Sequence, residues 1–462
     1  MRSTILIGPA RLLWLAMGAA LFSAVDLPGQ VTNLVGEVAM ASPPAVARIG
    51  PTVAAPTIPN AVWLAPSNSV FRYTSADVLA WGVTYPRSYY YVPYGVTGQY
   101  AQLPYRVEFD HDGSEFEIFV HGTGGSFRLR VDGQYAGLSP TSGPPADGLF
   151  YWLKVSFPES KRRSFSFEAS GIAFGGVAIQ ADGLLRWPAQ PLGSRCIVLG
   201  DSYSEGLTCY AQRLGQLMTW EVWSSGVGGT GYLNSGTLGR VNFRERVQSD
   251  VISRHPDVVI VAGGLNDPIG GLAAEAGALY DQIIASLPAA RLVVVGPWWP
   301  RGIPTQSILD NRDALKTAAL ARNLVFIDPL VATDPSQVNA GWITGSGNAA
   351  NPKADGNADQ YISADGTHPT DLGHQFLALK LAEALRNIVV PSPAPSINLR
   401  FVPGLWIEGT IGRRYQLQWS ENVSAEHWVD AELITLSERP TFWADASATN
   451  SARRFYRAVL LP

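Results

Sequence analysis

The sequence predicts a doubly wound α/β domain with a three-layer arrangement around a parallel sheet, preceded by a β-sandwich and followed by a small β domain. Short apolar runs alternate with helix-length segments from Arg195 to about residue 390. That alternation builds a parallel sheet covered by helices. On either side of this stretch, apolar residues recur at every second position, the period of a half-buried strand. The 462-residue chain has room for several domains at roughly 100–200 residues each, and its 46% hydrophobic content is ample for their cores.

Composition also excludes partners. Charged residues make up 16% of the chain and the net charge is −4, so neither a disordered polyelectrolyte nor a polyanion-binding surface is expected. Nucleic acid is not an expected partner. Two cysteines cannot build a disulfide framework or an all-cysteine zinc site. Cys196 in a strand and Cys209 in the following helix could pair, but packed layers hold Cα atoms about 10 Å apart, beyond the disulfide limit of roughly 7 Å.

The elements follow in order. Residues 1–25 read as a signal peptide: Arg2 and Arg11 precede an apolar run, residues 12–25, that is too short to span a bilayer. Small residues Gly18, Ala19, Ala20, Ser23 and Ala24 offer cleavage positions. No later stretch is long enough to cross a membrane, so the chain reads as secreted or periplasmic, without stable membrane insertion after export. Residues 26–59, rich in Ala, Pro, Val and Thr, read as a linker or an edge-strand lead-in.

Residues 60–190 carry the β-sandwich pattern. Val107 and Phe109, then Phe116, Ile118 and Val120, then Phe127, Leu129 and Val131 alternate with Glu108, Glu117, Arg128 and Arg130. Asp112-Gly113 and Gly124-Gly125 fall between these runs at hairpin spacing. Phe165 and Phe167 mark a further strand.

Residues 191–390 carry the α/β pattern. Cys196-Ile197-Val198-Leu199 is a buried-strand run, followed by similar runs at 221–225, 258–262, 292–295 and 324–327. Helices are expected at 204–218, 241–254, 271–287 and 306–322. A last helix follows Thr370, with Leu372, Phe376, Leu377, Leu381 and Leu385 at helical spacing. Residues 391–397 are a proline-rich linker. In 398–462, Tyr415, Leu417 and Trp419 alternate as in the strands of a small β domain.

Ligands of an open parallel sheet bind beyond the carboxyl ends of its strands, and four such ends are suggestive. They are Gly200-Asp201-Ser202, Gly226-Val227-Gly228-Gly229-Thr230-Gly231, Gly263-Gly264-Leu265-Asn266-Asp267, and the loop Asp365-Gly366-Thr367-His368. A serine hydroxyl needs a base, histidine serves near neutral pH, and a carboxylate steadies the imidazolium. Ser202, His368 and Asp365 supply these types. Acyl transfer also needs donors for an oxyanion; the Ser202 N–H, a glycine N–H and the Asn266 amide could provide them. Of six histidines, His111, His121 and His427 lie outside the α/β segment. His255 reads as a helix-end partner and His374 as a surface or packing residue, which leaves His368.

The G-x-S-x-G elbow of α/β-hydrolases is absent. The constellation resembles the SGNH (GDSL) hydrolase superfamily, named for Ser, Gly, Asn and His in four sequence blocks. Ser202 matches the first block, Gly229 the glycine of the second, Asn266 the G-x-N-D block, and Asp365 with His368 the D-x-x-H block. The second block departs from the family pattern, with Ser224 where asparagine is frequent. The resemblance spans about 191–390. It implies a flavodoxin-like hydrolase domain and a metal- and cofactor-free serine esterase. Its triad would be Ser202, His368 and Asp365, and its oxyanion donors Ser202, Gly229 and Asn266.

The β domain placed before the hydrolase is similar to the architecture of carbohydrate esterase family 2. That likeness implies removal of short acyl groups, O-acetyl foremost, from a polysaccharide or another small ester. A lipase, thioesterase or aryl esterase with the same triad, and a non-catalytic carbohydrate-binding protein, are the alternatives. Trp298 and Trp299 at a strand end either stack on a sugar ring or pack the core. Gly226 to Gly231 also fits G-x-G-x-x-G, but loop follows where a dinucleotide site needs a helix. A metal site from Asp201, Asp267, Asp365 and His368 lacks a helical H-E-x-x-H pattern.

Overall fold

The computed structural model describes residues 34–51, 55–79, 87–89, 103–121, 124–189, 193–237, 239–330, 341–386, 404–422, 427–437, 441–445 and 454–461. The expected signal peptide (1–25) and the proline-rich linker (391–397) lie outside them.

Five parallel strands stand in the order Glu221–Gly226, Arg195–Gly200, Val258–Ala262, Arg291–Val295 and Val325–Ile327. This is the 2-1-3-4-5 order of flavodoxin-like sheets, whose ligand crevice opens between the first and third strands. The strands are apolar runs because both faces are covered. Ile197, Leu199, Val259 and Val261 enter one core, while Cys196, Val198, Val258 and Ile260 enter another. Phe243–Asp250 (α2), Leu272–Ser286 (α3) and Gln306–Leu320 (α4) supply Val247, Leu279 and Leu315 to the first core. Tyr210–Met218 (α1) and the final helix Asp371–Arg386 (α6) supply Leu214, Leu377 and Leu381 to the second. A short helix, Ala358–Tyr361 (α5), precedes α6. Cys196 and Cys209 are buried free thiols.

The N-terminal β region is one hydrogen-bonded antiparallel sheet of twelve strands, seven on a continuous path and five paired off it, not two separate hairpin-built sheets. Its spine is the 17-residue strand Tyr105–His121 paired with the 21-residue strand Phe150–Ser170. Asp112-Gly113, expected as a turn, lies inside Tyr105–His121. The pairing register shifts there, between Ser156 and Lys161 of the partner strand, so the dipeptide marks an irregularity of the kind that bends a strand. Gly124-Gly125 does not close a hairpin either: Ser126–Val131 pairs with Phe150–Ser170, not with Tyr105–His121.

Of the two readings of 26–59, residues 45–49 take the edge-strand one and not the linker one. Ala45–Ile49 pairs with Trp152–Ser156 along the free edge of Phe150–Ser170. Four of its five residues are exposed, so backbone hydrogen bonds hold it and no apolar period betrays it. In the C-terminal region, Gly404–Ile407 pairs with Thr441–Ala444, and Arg414–Ser420 pairs with Val429–Thr435 and Phe455–Leu460. Among the described residues no helix is long and apolar enough to cross a membrane.

Buried charges join the two larger parts. Arg128 donates to Glu37 at 2.9 Å and to Glu168 at 2.9 Å, with its guanidinium 4.2 Å from the centre of the Tyr135 ring. Desolvation works to raise the Glu168 carboxyl, but Arg128, Arg130 and Arg106 hold it below the usual carboxylate range. Gln216 of α1 reaches the Tyr135 hydroxyl from the other side. Removing one partner of a buried pair strands the other. Arg128→Leu is therefore expected to destabilise the protein by about 3–5 kcal/mol in urea unfolding, and a loss below about 1 kcal/mol would show that the network is energetically idle.

Candidate active site

The first strand ends at Gly200, and the chain turns at once through the 3₁₀ segment Ser202–Ser204. Asp201 caps this turn by accepting from the Tyr203 N–H at 3.0 Å. It is fully buried, its Oδ2 has no partner, and burial pushes its carboxyl up to about 7. Gly226 on the neighbouring strand permits the close approach, since a Cβ there would stand 2.2 Å from the Ser204 carbonyl carbon. The turn leaves Ser202 half-buried at the carboxyl edge of the sheet.

His368 arrives from a loop that shapes itself. Asp365 Oδ1 accepts from Ser363 Oγ at 2.7 Å, from the Thr367 N–H at 2.9 Å and from the His368 N–H at 2.9 Å. Its Oδ2 lies 2.7 Å from His368 Nδ1, and His368 Nε2 lies 2.9 Å from Ser202 Oγ. Partial desolvation would raise the Asp365 carboxyl, but hydrogen bonds from His368, Thr367 and Ser363 hold it far below the usual carboxylate range. Tyr203 ties this loop to the turn, donating its hydroxyl to the Thr367 carbonyl at 2.5 Å.

The other two blocks meet at one rim. Gly229 takes a left-handed φ of +74°, and a Cβ at Gly228 would stand 3.5 Å from the Ser202 Cβ. Asn266 donates through Nδ2 to the Thr230 carbonyl at 3.0 Å, which places its amide beside the Gly229 turn. Asp267 accepts from the N–H groups of Tyr232, Leu233 and Asn234 at 3.1, 2.7 and 3.1 Å. Asn311 of α4 donates to the carbonyls of Gly264 and Asp267, both at 3.0 Å. Asp201 and Asp267 thus hold backbone, and among the described residues no group of three or more His, Cys, Asp or Glu is placed to bind a metal.

The structure therefore brings Ser202, His368 and Asp365 into one hydrogen-bonded line, with Gly229 and Asn266 beside it. Trp298 does not join them as a sugar platform. It is 2% exposed, stacked parallel to Tyr203 with centroids 6.2 Å apart and set edge-on to Tyr210 at 5.0 Å. The chain after Arg291–Val295 turns inward there, so Trp298 braces the tyrosine that holds the histidine loop. Trp299 is half-buried, with Nε1 donating to the Ile303 carbonyl at 3.0 Å. Tyr203, Glu205 and Arg240 escaped sequence reading; Tyr203 acts on a main-chain carbonyl, which no side-chain pattern announces.

A serine, an imidazole and a carboxylate in line at the carboxyl edge of a flavodoxin-like sheet define a serine ester hydrolase. Residues 198–376 match the GDSL-like Lipase/Acylhydrolase family model. A GDSL lipase of Mycobacterium tuberculosis is 27% identical over 203 residues, covering 40% of this chain and 78% of that protein. Two solved structures share the fold at low identity. A salicylyl-acyltransferase from a tetracycline biosynthetic pathway matches with a TM-score of 0.53 and 12% identity, over 72% of this chain and 99% of its own. An active-site mutant of a family two carbohydrate esterase from Clostridium thermocellum matches with a TM-score of 0.50 and 15% identity, over 69% and 98%.

His374 on α6 accepts from the Tyr210 N–H at 3.3 Å, and desolvation lowers its pKa to about 3. Buried His111 is likewise lowered, to about 4. An unfolded imidazole titrates near 6.5, so between about pH 3 and 6.5 the unfolded chain binds the extra proton. The contribution of His374 is complete above that window and is lost as pH falls through it, by up to about 1.4 kcal/mol per pH unit. Urea unfolding of His374→Gln at pH 7 and pH 5 should show a shallower pH dependence than the parent protein. Equal slopes would mean that His374 titrates freely.

Proposed function

We propose that the protein is an exported esterase that removes short acyl groups, O-acetyl foremost, from a polysaccharide. The observation that carries the reading is the line Ser202 Oγ, His368 Nε2, His368 Nδ1 and Asp365 Oδ2. Ser202 attacks the ester carbonyl while His368 takes its proton, and Asp365 holds the imidazole tautomer and steadies the imidazolium. The N–H groups of Ser202 and Gly229 and the Asn266 amide receive the oxyanion. His368 then protonates the leaving sugar hydroxyl. Water, deprotonated by the same imidazole, attacks the acyl-enzyme, and its collapse returns Ser202 with the free acid.

The carbohydrate part of the reading draws on the fold shared with a family two carbohydrate esterase, over 69% of this chain. We take residues 60–190 as a sandwich whose layers share their long strands and which walls the cleft. Trp299 is the remaining candidate for contact with a sugar. Residues 1–25 are taken as the export signal. A lipase is the second reading, favoured by the name of the M. tuberculosis relative. An intact triad argues against a solely carbohydrate-binding protein.

A p-nitrophenyl ester series is expected to show highest kcat/KM with acetate and a steep fall beyond butyrate. Highest activity on long acyl chains would replace the deacetylase reading by the lipase one. Ser202→Ala should abolish hydrolysis with the fold intact by circular dichroism; activity within about tenfold of the parent would remove Ser202 as nucleophile. Asp365→Asn should lower kcat by roughly 10²–10⁴ at pH 7. A loss below about fivefold at both pH 7 and pH 9 would leave a Ser202–His368 dyad.

A further inference from the structure

We infer that Arg240 is a positioning residue for the oxyanion hole: it aims the Gly229 N–H by holding the carbonyl of the same peptide unit. The inference rests on the reading of Ser202 as nucleophile and Gly229 as oxyanion donor.

Gly228 is gripped at both of its polar groups. Its N–H donates to Glu205 Oε2 at 3.0 Å, and its carbonyl accepts from Arg240 Nη1. The Gly228 carbonyl and the Gly229 N–H belong to one planar trans peptide, so they point in opposite directions. Fixing the carbonyl on the Arg240 side therefore fixes where the N–H points. A cationic donor on the carbonyl also polarises the amide and strengthens its N–H as a donor. Glu205 restrains the preceding peptide, which limits rotation about Gly228 as well.

The crowding at Gly228 matches this arrangement. A Cβ there would stand 2.7 Å from Glu205 Oε2, 3.3 Å from Arg240 Nη1 and 3.5 Å from the Ser202 Cβ. Clamp and nucleophile thus close on the same residue. Gly229, at φ +74°, provides the left-handed turn that follows. Arg240 is itself well placed. Its Cδ would lie 3.4 Å from a Cβ at Gly236, so the stem runs along a glycine. The loop that carries it is pinned by Asp267, by Asn234 Nδ2 donating to the Asn266 carbonyl at 2.8 Å, and by the Phe243 N–H donating to the Gly231 carbonyl at 2.9 Å. Arg240 Nε is buried without an acceptor. A buried donor left unmet is unfavourable, which fits a guanidinium kept in place for the bond that Nη1 makes.

The test uses the full chain, with p-nitrophenyl acetate as substrate and a short alkylboronic acid as a tetrahedral mimic. Ser202 Oγ adds to the trigonal boron, an O–B bond forms, and the hydroxyl proton passes to His368, leaving an anionic tetrahedral adduct. Arg240→Met should lower kcat by about 10- to 100-fold with KM within about threefold, and should weaken the boronic acid in parallel. Arg240→Lys, which keeps one charged donor, should recover part of both losses. A kcat within about twofold of the parent, a loss carried by KM, or a slowed variant that still binds the boronic acid normally would overturn the inference. If Arg240→Met does not fold by circular dichroism, Arg240→Gln takes its place, with a smaller parallel loss expected and no loss overturning the idea. Ser202→Ala measured alongside separates the two claims. If it is inactive while the Arg240 variants behave like the parent, the clamp alone fails; if it is active, the esterase reading fails and the clamp with it.

Discussion

The buried guanidinium of Arg213 is the interaction on which the rest of the site depends. It lies on α1, the helix that follows Ser202, and donates to Asp371 Oδ1 at 2.7 Å, at the start of the helix that follows His368. The same side chain bonds the carbonyls of Thr208 and Asp371. Ser202 and His368, distant in sequence, are therefore set by helices bolted together just behind them. Arg213 also lies 3.5 Å from Glu37, whose other oxygen receives Arg128 of the β region. One carboxylate between two guanidiniums thus links the helices behind the site to the antiparallel sheet. A buried set of this kind is costly to form and costly to break, so it favours a single relative arrangement over a range of them.

The acids around the site divide the labour in a consistent way. Three of the four blocks, those of Ser202, Asn266 and His368, also supply a carboxylate for the backbone. Asp201 caps the turn that presents Ser202, Asp267 gathers three N–H groups beside Asn266, and Asp365 gathers two beside His368. The environments differ, and so do the acidities. Buried Asp201 is pushed up to about 7, whereas Asp365, rich in donors, is held far below the normal range. Only Asp365 also faces the imidazole, so it alone combines scaffold and electrostatic duty.

The four blocks that the structure brings together were legible in the sequence because such residues are restricted in both type and place. A serine, an asparagine and an aspartate–histidine pair at the ends of apolar strand runs have few structural explanations. The five parallel strands were legible for a similar reason: burial on both faces leaves nothing polar in Val258–Ala262. What stayed hidden acts through the main chain or against expectation. Glu205, Arg240 and Tyr203 bond peptide groups, and any residue supplies those. Asp112-Gly113 has the composition of a turn but sits where a long strand shifts register. Ala45–Ile49 is an edge strand without an apolar face, so composition left linker and edge strand undecided. Trp298 was ambiguous because a strand end can turn outward to a cleft or inward to a core, and here it turns inward.

The histidine loop has a bearing on how such a domain can change over evolutionary time. Every donor to Asp365 Oδ1 comes from residues 363–368, and the Ser363 N–H closes the loop on the His368 carbonyl at 2.8 Å. The geometry of the Asp365–His368 pair is thus encoded within one hexapeptide and tethered through Tyr203. A self-contained loop of this kind can travel unchanged, like a cassette, while the chain around it diverges.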